Sequence, residues 1–553
     1  MGEESSRQIS QAPFKGYELR SSCRRNEAAS GGEAVVKSGT AVYQSNLALS
    51  IYDDYVAGRS LVPSAAATGG SLFSRDLCGA RLKFRTGSAY FVVIALSGLL
   101  DNKESGMTSD GQGSLAQQLA GIDEIECVTP DLNGVPRGKV MSAAGFLEGR
   151  RLQMARGVLL QCIMGGYPES RFYGSEDGDL ALVPAAGQLH RLPWSQPPRA
   201  LAICDADELS GESSPLSTRG QLKAVIARYA ARGLAPVVAT ELEFFVFAPN
   251  PDPIQPFRPP VGLDGRRETG FSAFSISSNN GLRPFFNEVY QSMAALGLPR
   301  DTVMHEMGVS QFEINLLHGY LLLLADQTFL FKHLLKEVAL KHGLTVVCMA
   351  KPLAHTAGSS MHIHQSVVQA GSGQNVFSDE AGQPTATFRH FIGGQQACMA
   401  DFTALFAPNV NSYQRLFHPY ASPNNACWSH DNRSAGLRIP ASSPAARRVE
   451  NRLPGADANP YLAIAASLAA GLYGIERGLE PTAAIQGEFQ VPEALTLPCT
   501  LHAALARLAR SEMAIELFGT EFIEGYVASK TLELTSFHDE ITPWERRVLA
   551  AQA

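Results

Sequence analysis

Four short segments of the chain alternate apolar side chains with acidic or histidine side chains, and this pattern constrains the fold more than any other feature. Successive side chains of a β-strand point to opposite faces, so each segment is predicted to form a strand with one apolar and one polar face. The polar faces are predicted to hold Glu241 and Glu243 in ATELEFFVF, Glu313 in QFEINL, His362, His364 and Ser366 in SSMHIHQSVV, and Glu450 in RRVENRL. One such strand would commonly turn its acids to solvent. Four in one chain predict instead that the strands line a common site.

The acids and histidines of these faces form a ligand set for divalent cations. Glu306, on the segment before Glu313, adds a further carboxylate, and Gly308 permits a bend between the two segments. Oxygen-rich ligand sets with little nitrogen and no sulfur suit Mg²⁺ or Mn²⁺ rather than zinc. Five carboxylates with one or two imidazoles exceed what one ion that keeps its waters needs. The sequence therefore predicts two or more ions, the arrangement that clamps a transferred phosphoryl group.

The phosphate side of such a reaction needs positive charge, and the C-terminal half supplies arginines. No GxxxxGK[ST] motif occurs in the sequence, which excludes a P-loop. Six arginines lie within 38 positions and suit the anionic oxygens of phosphates and carboxylates: Arg415, Arg433, Arg438, Arg447, Arg448 and Arg452. The alternative is that they are surface residues that pair with acids at little gain in stability. We expect this alternative for Arg447, but not for Arg433 and Arg438, which lie among small and apolar residues.

Composition and charge limit the other classes of function. The chain is 45% hydrophobic and has a net charge of -7, a composition typical of a globular protein. Its 553 residues are enough to form two or more hydrophobic cores. Mild acidity argues against non-specific nucleic-acid binding, and the apolar run at 90–100 is too short to span a bilayer. The start lacks the order of a signal peptide, and nine scattered cysteines include no CxxC pair. We therefore expect a cytoplasmic protein without disulfides, nucleic acid or a membrane partner.

The chain divides into three regions by composition and pattern. Residues 1–115 are rich in Ser, Gly, Ala and Arg and predict a poorly ordered extension or a small appendage; alternatively, Met107 is the true start. Residues 116–212 predict a strand-rich domain, with strands in 122–141, 178–185 and 199–207. Residues 213–553 are predicted to hold a proline-rich loop at 250–270, a capping box at 542–545 and helices at 218–233, 321–343 and 461–478.

The order of these motifs is similar to that of the type I glutamine synthetase family. The motifs are ExE, HExGxxQFEI, GSxMHxHQS, NSYxRL, NRSxxxRIP and RRxExRxPxxxANPYLAIAA, and the resemblance covers about Gly121 to Glu545. It implies an α+β fold, with an N-terminal β-grasp domain followed by a catalytic domain in which helices surround a curved antiparallel sheet. It also implies a homo-oligomer of stacked hexameric rings in which neighbouring subunits share active sites.

The resemblance implies a role for each matching residue. Two Mg²⁺ or Mn²⁺ ions would be held by two sets of residues: Glu243, Glu306 and Glu313 for one, and Glu241, His362 and Glu450 for the other. ATP would lie beside His364 and Ser366, with its phosphates at Arg433 and Arg438. Glutamate would be held by Gly358, Arg415 and Arg452. The catalytic residues would be Arg433, Glu313 and His364. In the implied reaction, the γ-carboxylate of glutamate attacks the γ-phosphate of ATP, and an amine then displaces phosphate from γ-glutamyl phosphate.

Two departures from the family's pattern concern the acceptor of the γ-glutamyl group. Ala421 stands where glutamine synthetases carry a loop Glu that helps to bind ammonium, and the DGSS-type segment, whose Asp contributes to the ammonium site, has no clear match. Ammonium is a small cation that needs anionic oxygens, so this loss predicts a different amine as acceptor. The pattern resembles the γ-glutamylpolyamine synthetase branch, which ligates glutamate to putrescine or a related amine.

Two alternatives stay open at this point. One is a true glutamine synthetase that uses ammonia. The other is a catalytically inactive family member with a structural or regulatory role. The presence of all six predicted metal ligands argues against the inactive member.

Overall fold

The computed structural model describes residues 115–169, 177–417, 422–487 and 489–552. Several predictions concern residues outside these ranges. They are the N-terminal extension except for its last residue, the possible start at Met107, and Ala421. The segment 170–176, in the region without a DGSS match, also lies outside them. Within the described ranges, no helix combines the length and the apolar composition needed to cross a bilayer.

Five strands near the start of the described chain form a first sheet. Their bounds are Glu124–Pro130 (β1), Pro136–Ser142 (β2), Leu152–Ala155 (β3), Asp179–Arg191 (β4) and Arg199–Glu208 (β5). A short helix, Ala143–Leu147 (α1), follows β2. The strand order is β2-β1-β5-β4-β3, and neighbours are antiparallel except β1 and β5, which run parallel. The strands predicted from the sequence in this region are confirmed, whereas the β-grasp assignment of the sheet stays a prediction.

The second sheet has nine strands and carries the predicted site. Their bounds are Leu234–Phe247 (β6), Arg300–His305 (β7), Gln311–Leu316 (β8), Gly319–Tyr320 (β9), Thr345–Val347 (β10), Met361–Gln369 (β11), Trp428–His430 (β12), Leu437–Ile439 (β13) and Val449–Asn451 (β14). The main path runs β12-β13-β14-β11-β6-β8-β7, and β9 and β10 also pair with β6. The prediction of an antiparallel sheet is wrong for one pair, because β12 and β13 run parallel. This arrangement puts β13 beside β14, where Arg438 lies opposite Glu450.

Twelve further α-helices whose bounds lie within the described ranges pack around the sheets. Their bounds are Thr218–Ala230 (α2), Ile276–Gly281 (α3), Arg283–Ala295 (α4), Leu321–Lys341 (α5), Ala386–Met399 (α6), Thr403–Phe406 (α7), Val410–Phe417 (α8), Pro460–Arg477 (α9), Leu501–Leu508 (α10), Glu512–Phe518 (α11), Thr520–His538 (α12) and Pro543–Val548 (α13). The predicted helix starts are confirmed: Ser217 caps α2, Asn459 caps α9, and Thr542 with Glu545 forms the capping box of α13. Each cap satisfies backbone N–H groups that a helix start leaves unpaired.

A large hydrophobic cluster extends from the first sheet to the C-terminal helices. The central strand β6 contributes Leu242, Phe244 and Val246, which are fully buried in it. Glu241 and Glu243 alternate with these residues and therefore point to the opposite face. The core thus fixes one face of β6 and leaves the acids on the face where the functional side chains of the neighbouring strands gather.

Candidate active site

The four strands predicted to line a common site are neighbours in the second sheet. β6 lies between β11 and β8, and β14 lies on the far side of β11. Residues directly opposite each other in a ladder have side chains on the same face. Four cross-strand pairs bring the site together: Glu241 with His362, Glu241 with Asn315, Glu243 with Glu313, and His364 with Glu450. The predicted common lining is therefore confirmed.

Glu241, His362 and Glu450 form one potential metal-binding group, in which the ligand atoms lie within 4.8 Å of one another. His362 Nδ1 lies 3.2 Å from Glu241 Oε2 and 3.8 Å from Glu450 Oε1. All three side chains are largely shielded from solvent. These are the three residues that the resemblance assigns to one ion.

Glu243, Glu313 and His362 form a second group of the same size. Glu306, the predicted third member, does not belong to this group. It directly follows β7, is half-buried, and its carboxylate accepts a hydrogen bond from the N–H of Met307 at 3.2 Å. The assignment of Glu306 to the same ion therefore stays a prediction, and His362 is the residue that joins the two groups.

The acids of the site differ in how their charge is balanced. Burial alone would raise the pKa of Glu241, but His364 and a second histidine partner lower it below its ordinary value. Burial and three neighbouring acids raise the pKa of Glu313 well above its ordinary value. Burial next to Glu243 likewise raises the pKa of Glu306 to about 8. Carboxylates crowded in this way favour a bound cation, which removes their mutual repulsion.

The donor atoms fit Mg²⁺ or Mn²⁺. Both groups offer carboxylate oxygens and one imidazole, which are ligands that these hard cations accept. Every cysteine in the described part of the chain is a free thiol, and none belongs to either group.

Two arginines predicted to contact substrates flank Glu450. Arg438 Nη1 lies 2.7 Å from Glu450 Oε2, and Arg452 Nη1 contacts the other carboxylate oxygen. Burial would raise the pKa of Glu450, but Arg452 and Arg438 lower it far below its ordinary value. Arg438 also pairs with Asp431 at 2.5 Å. Both arginines therefore hold a metal-ligand candidate in place, in addition to any contact with substrate.

The predicted glutamate-binding residues are packed against one another. Arg415 is buried and donates hydrogen bonds to the carbonyl groups of Leu453 and Arg452 at 2.8 and 2.9 Å. A side chain at Gly358 would come within 2.7 Å of Arg415 Cγ and 2.5 Å of the Ala350 carbonyl, so only glycine fits there. The Nε atoms of Arg415 and Arg452 are buried and have no partner among the described residues. Such donors suit an anionic ligand.

The histidine predicted to lie beside ATP has a fixed tautomer. His364 Nε2 lies 2.8 Å from Glu241 Oε1, and the Arg448 guanidinium reaches His364 Nδ1 at 3.2 Å. Because a guanidinium can only donate, Nδ1 accepts and Nε2 donates its proton to Glu241. Ser366 follows on the same strand and is half-buried. Arg433 is exposed in the loop between β12 and β13, without a hydrogen-bond partner in the described ranges.

Gln311 connects several parts of the site, although it is not among the predicted site residues. Its side-chain N–H groups reach Glu243 Oε2 at 3.2 Å and the Gly358 carbonyl at 2.9 Å. Ser360 supports the same Glu243 oxygen through its backbone N–H at 2.9 Å. Two sequence signals mark Gln311, namely its spacing of two residues from Glu313 and its place in the HExGxxQFEI motif, whereas Ser360 has none.

The turn between β7 and β8 bends differently from the prediction. The left-handed residue is Ser310, with φ +59, and not Gly308. Gly308 is required for another reason: a side chain there would come within 2.5 Å of Gln311 Oε1 and 2.9 Å of the Phe245 ring. The backbone N–H of Gly308 donates to Gln311 Oε1 at 2.8 Å. The glycine thus lets the turn approach the side chain that supports Glu243.

Comparison with known proteins agrees with this architecture. Residues 215–549 match the family model described as the catalytic domain of glutamine synthetase. The chain is 34% identical over 442 residues to a glutamate–isopropylamine ligase of a Pseudomonas species, which covers 77% of this chain and 94% of that protein. It is 33% identical over 432 residues to the γ-glutamylputrescine synthetase PuuA of Escherichia coli, covering 76% of this chain and 90% of that protein.

A solved structure has the same fold. The structure titled apo GmaS without ligand aligns with a TM-score of 0.68 at 28% identity, over 79% of this chain and 98% of the other. The fold of the chain and its similarity to these proteins together identify it as an enzyme, a ligase that forms a C–N bond. The chain belongs to the glutamine synthetase family.

Proposed function

We propose that this protein is an ATP-dependent glutamate–amine ligase that acts through a γ-glutamyl phosphate intermediate. The observation that carries the proposal is the pair of ligand groups that meet at His362 on one sheet face. Two ions held on such a face would neutralise a transferred phosphoryl group from both sides. The relatives named for isopropylamine and putrescine support an amine as the acceptor.

The residues around the two ligand groups would have separate roles in the first step, the transfer of the γ-phosphoryl group from ATP to glutamate. Glutamate would lie against Gly358, Arg415 and Arg452, and ATP beside His364 and Ser366. Arg433 and Arg438 would neutralise the phosphoryl oxygens while the γ-carboxylate attacks. Mg²⁺ or Mn²⁺, when bound, supplies Lewis-acid charge neutralisation, and its ligands would be Glu241, Glu243, Glu306, Glu313, His362 and Glu450.

For the second step we propose putrescine or a related amine as the nucleophile. The amine nitrogen forms the new bond to the γ-carbonyl carbon, and phosphate leaves with the electrons of the broken C–O bond. The nitrogen loses one proton in this step, and the released phosphate takes it up. Ala421 brings no carboxylate to concentrate ammonium, which favours a larger amine. A true glutamine synthetase would share every residue of the activation site and differ only in this step. The inactive alternative loses support because two potential metal groups are formed by the folded chain itself.

An ADP-release assay with glutamate, ATP and Mg²⁺ tests the proposal. The panel contains putrescine, spermidine, ethanolamine, isopropylamine and ammonium, each with mass-spectrometric identification of the γ-glutamyl product. We expect the highest kcat/KM with one of the larger amines. Turnover with ammonium far above all of them would replace the proposal by the glutamine synthetase alternative, and no product with any acceptor would favour the inactive one.

We further propose, from the family resemblance, that the five-stranded sheet is the β-grasp domain and that subunits assemble into stacked hexameric rings in the cytoplasm. Light scattering coupled to size-exclusion chromatography measures the assembly directly. A monomer at micromolar concentration would contradict it.

A further inference from the structure

Glu268, in the proline-rich loop, bridges the two ends of the β7–β8 turn. Its Oε2 atom lies 2.9 Å from His305 Nε2 and accepts a hydrogen bond from the backbone N–H of Ser310, also at 2.9 Å. His305 is the last residue of β7, and Ser310 directly precedes β8. One carboxylate oxygen therefore connects both ends of the turn that carries Glu306.

His305 extends this bridge to Glu306 itself. His305 Nδ1 lies 2.8 Å from the Glu306 carbonyl oxygen, which can only accept, so Nδ1 donates. The ring is fully buried and packs edge-on against Phe312, with 4.9 Å between ring centroids. The imidazole therefore has little freedom to turn, and it fixes the backbone of Glu306 relative to Glu268.

Hydrogen bonds within the turn and to β6 also hold its backbone. The Glu306 N–H donates to the Gln311 carbonyl at 2.8 Å, and Ser310 Oγ donates to the Val246 carbonyl at 2.6 Å. Ser310 adopts a left-handed conformation, which is unfavourable for a residue with a side chain. The Glu306 carboxylate accepts a hydrogen bond only from the adjacent Met307 in the described chain, and it lies outside both ligand groups. Its reach towards Glu243 and Glu313 therefore depends on the backbone of the turn.

We propose that Glu268 is a positioning residue that holds the β7–β8 turn so that Glu306 can bind the ion at Glu243 and Glu313. The inference rests on the proposed function, because it requires Glu306 to be a ligand. The second oxygen of Glu268, Oε1, is buried without a partner among the described residues, which costs stability. A carboxylate kept at such a cost fits a role in the site better than a role in folding.

Direct measurement of Mn²⁺ binding by electron paramagnetic resonance tests this role without relying on activity. Glu268→Ala should weaken binding of one Mn²⁺ by about tenfold or more, the usual effect of removing a partner that orients a metal ligand. Glu268→Gln should bind nearly as the parent does. Its amide oxygen, in the place of Oε2, still accepts from Ser310 and lies within hydrogen-bond distance of His305 Nε2. Glu268→Asp, with a reach shorter by one methylene group, should lie between them and replaces Glu268→Ala if that variant does not fold.

Two further variants separate the possible outcomes. Asp264→Asn removes an exposed carboxylate from the same loop and should leave Mn²⁺ binding unchanged. Glu306→Gln should weaken binding at least as much as Glu268→Ala; if it has no effect, the ligand assignment in the proposed function fails. If Glu306→Gln weakens binding and Glu268→Ala does not, the positioning role alone is wrong. A loss in Glu268→Gln equal to that in Glu268→Ala also overturns it, because charge and not geometry would then be responsible.

Discussion

The two ends of the ligand-bearing sheet face balance their charges in opposite ways. At the β14 end, Glu450 is buried between Arg438 and Arg452, and its pKa is far below its ordinary value. At the β8 end, Glu313 is buried among other acids, and its pKa is raised. The folded chain itself therefore supplies the positive charge that balances Glu450. The acids at the β8 end are balanced only when a bound cation supplies positive charge.

The largest effect is expected at the end that lacks counter-charge. Glu313→Ala removes a central oxygen ligand, so metal-dependent ATP turnover should fall to the background of the ADP-release assay. The metal-free protein should not lose stability, because the substitution removes an acid that is buried next to other acids. Activity that survives this substitution would show that the assignment of this strand face is wrong. Glu380→Ala, on an exposed turn, serves as the control.

The opposite response is expected at the β14 end. Glu450→Ala leaves Arg438 and Arg452 buried with their shared partner removed, and stability should fall by about 3–5 kcal/mol. Chemical denaturation of the metal-free protein measures this loss. Asp431→Ala removes an acid that is 41% exposed from the same arginine network, so its effect should stay below about 1 kcal/mol. Similar losses in the two variants would contradict the contrast between the ends.

Metal binding should stabilise the protein mainly through the β8 end. A cation at about a hundred times its Kd adds about 2.7 kcal/mol to the free energy of unfolding. Thermal melts with EDTA and with saturating Mn²⁺ should therefore differ by several degrees. In Glu313→Ala the shift should be much smaller. A shift of unchanged size in that variant would place the stabilising ion elsewhere.

A smaller effect is expected where the β8 end meets the predicted glutamate pocket, at Gly358. Gly358→Ala forces a Cβ towards Arg415 and the Ala350 carbonyl, and overpacking of this kind costs about 1–3 kcal/mol. The KM for glutamate should rise more than the KM for ATP. Gly371→Ala is a matched control, since no heavy atom lies within 4 Å of a Cβ added there. Equal kinetics in the two variants would remove Gly358 from the glutamate pocket.

Much of this site follows from the sequence, because alternation along a strand fixes which side chains share a face. That rule places Glu241 beside Glu243 and His362 beside His364. It does not give the register between strands that are far apart in the chain, and so it could not show that Arg438 lies opposite Glu450. The cross-strand ladder decides that register.

Turns are the second limit of sequence reasoning. The glycine in the β7–β8 turn predicts a bend at Gly308, yet Ser310 takes the left-handed conformation, and its N–H donates a hydrogen bond to Glu268. Such a contact comes from a loop some forty residues earlier in the chain. No local pattern records it. The same holds for Glu306, whose distance from the second ligand group depends on that turn.

The strand β6 is hydrogen-bonded along both edges, to β11 and to β8. The amide groups of Glu241 and Glu243 should therefore exchange their protons with solvent only through the rarest opening events of the molecule, whereas surface loops open far more often. In the proposed reaction, three substrates enter and three products leave in every cycle. The loops can undergo that motion on a fast timescale while the spacing of the two acids stays constant from one turnover to the next.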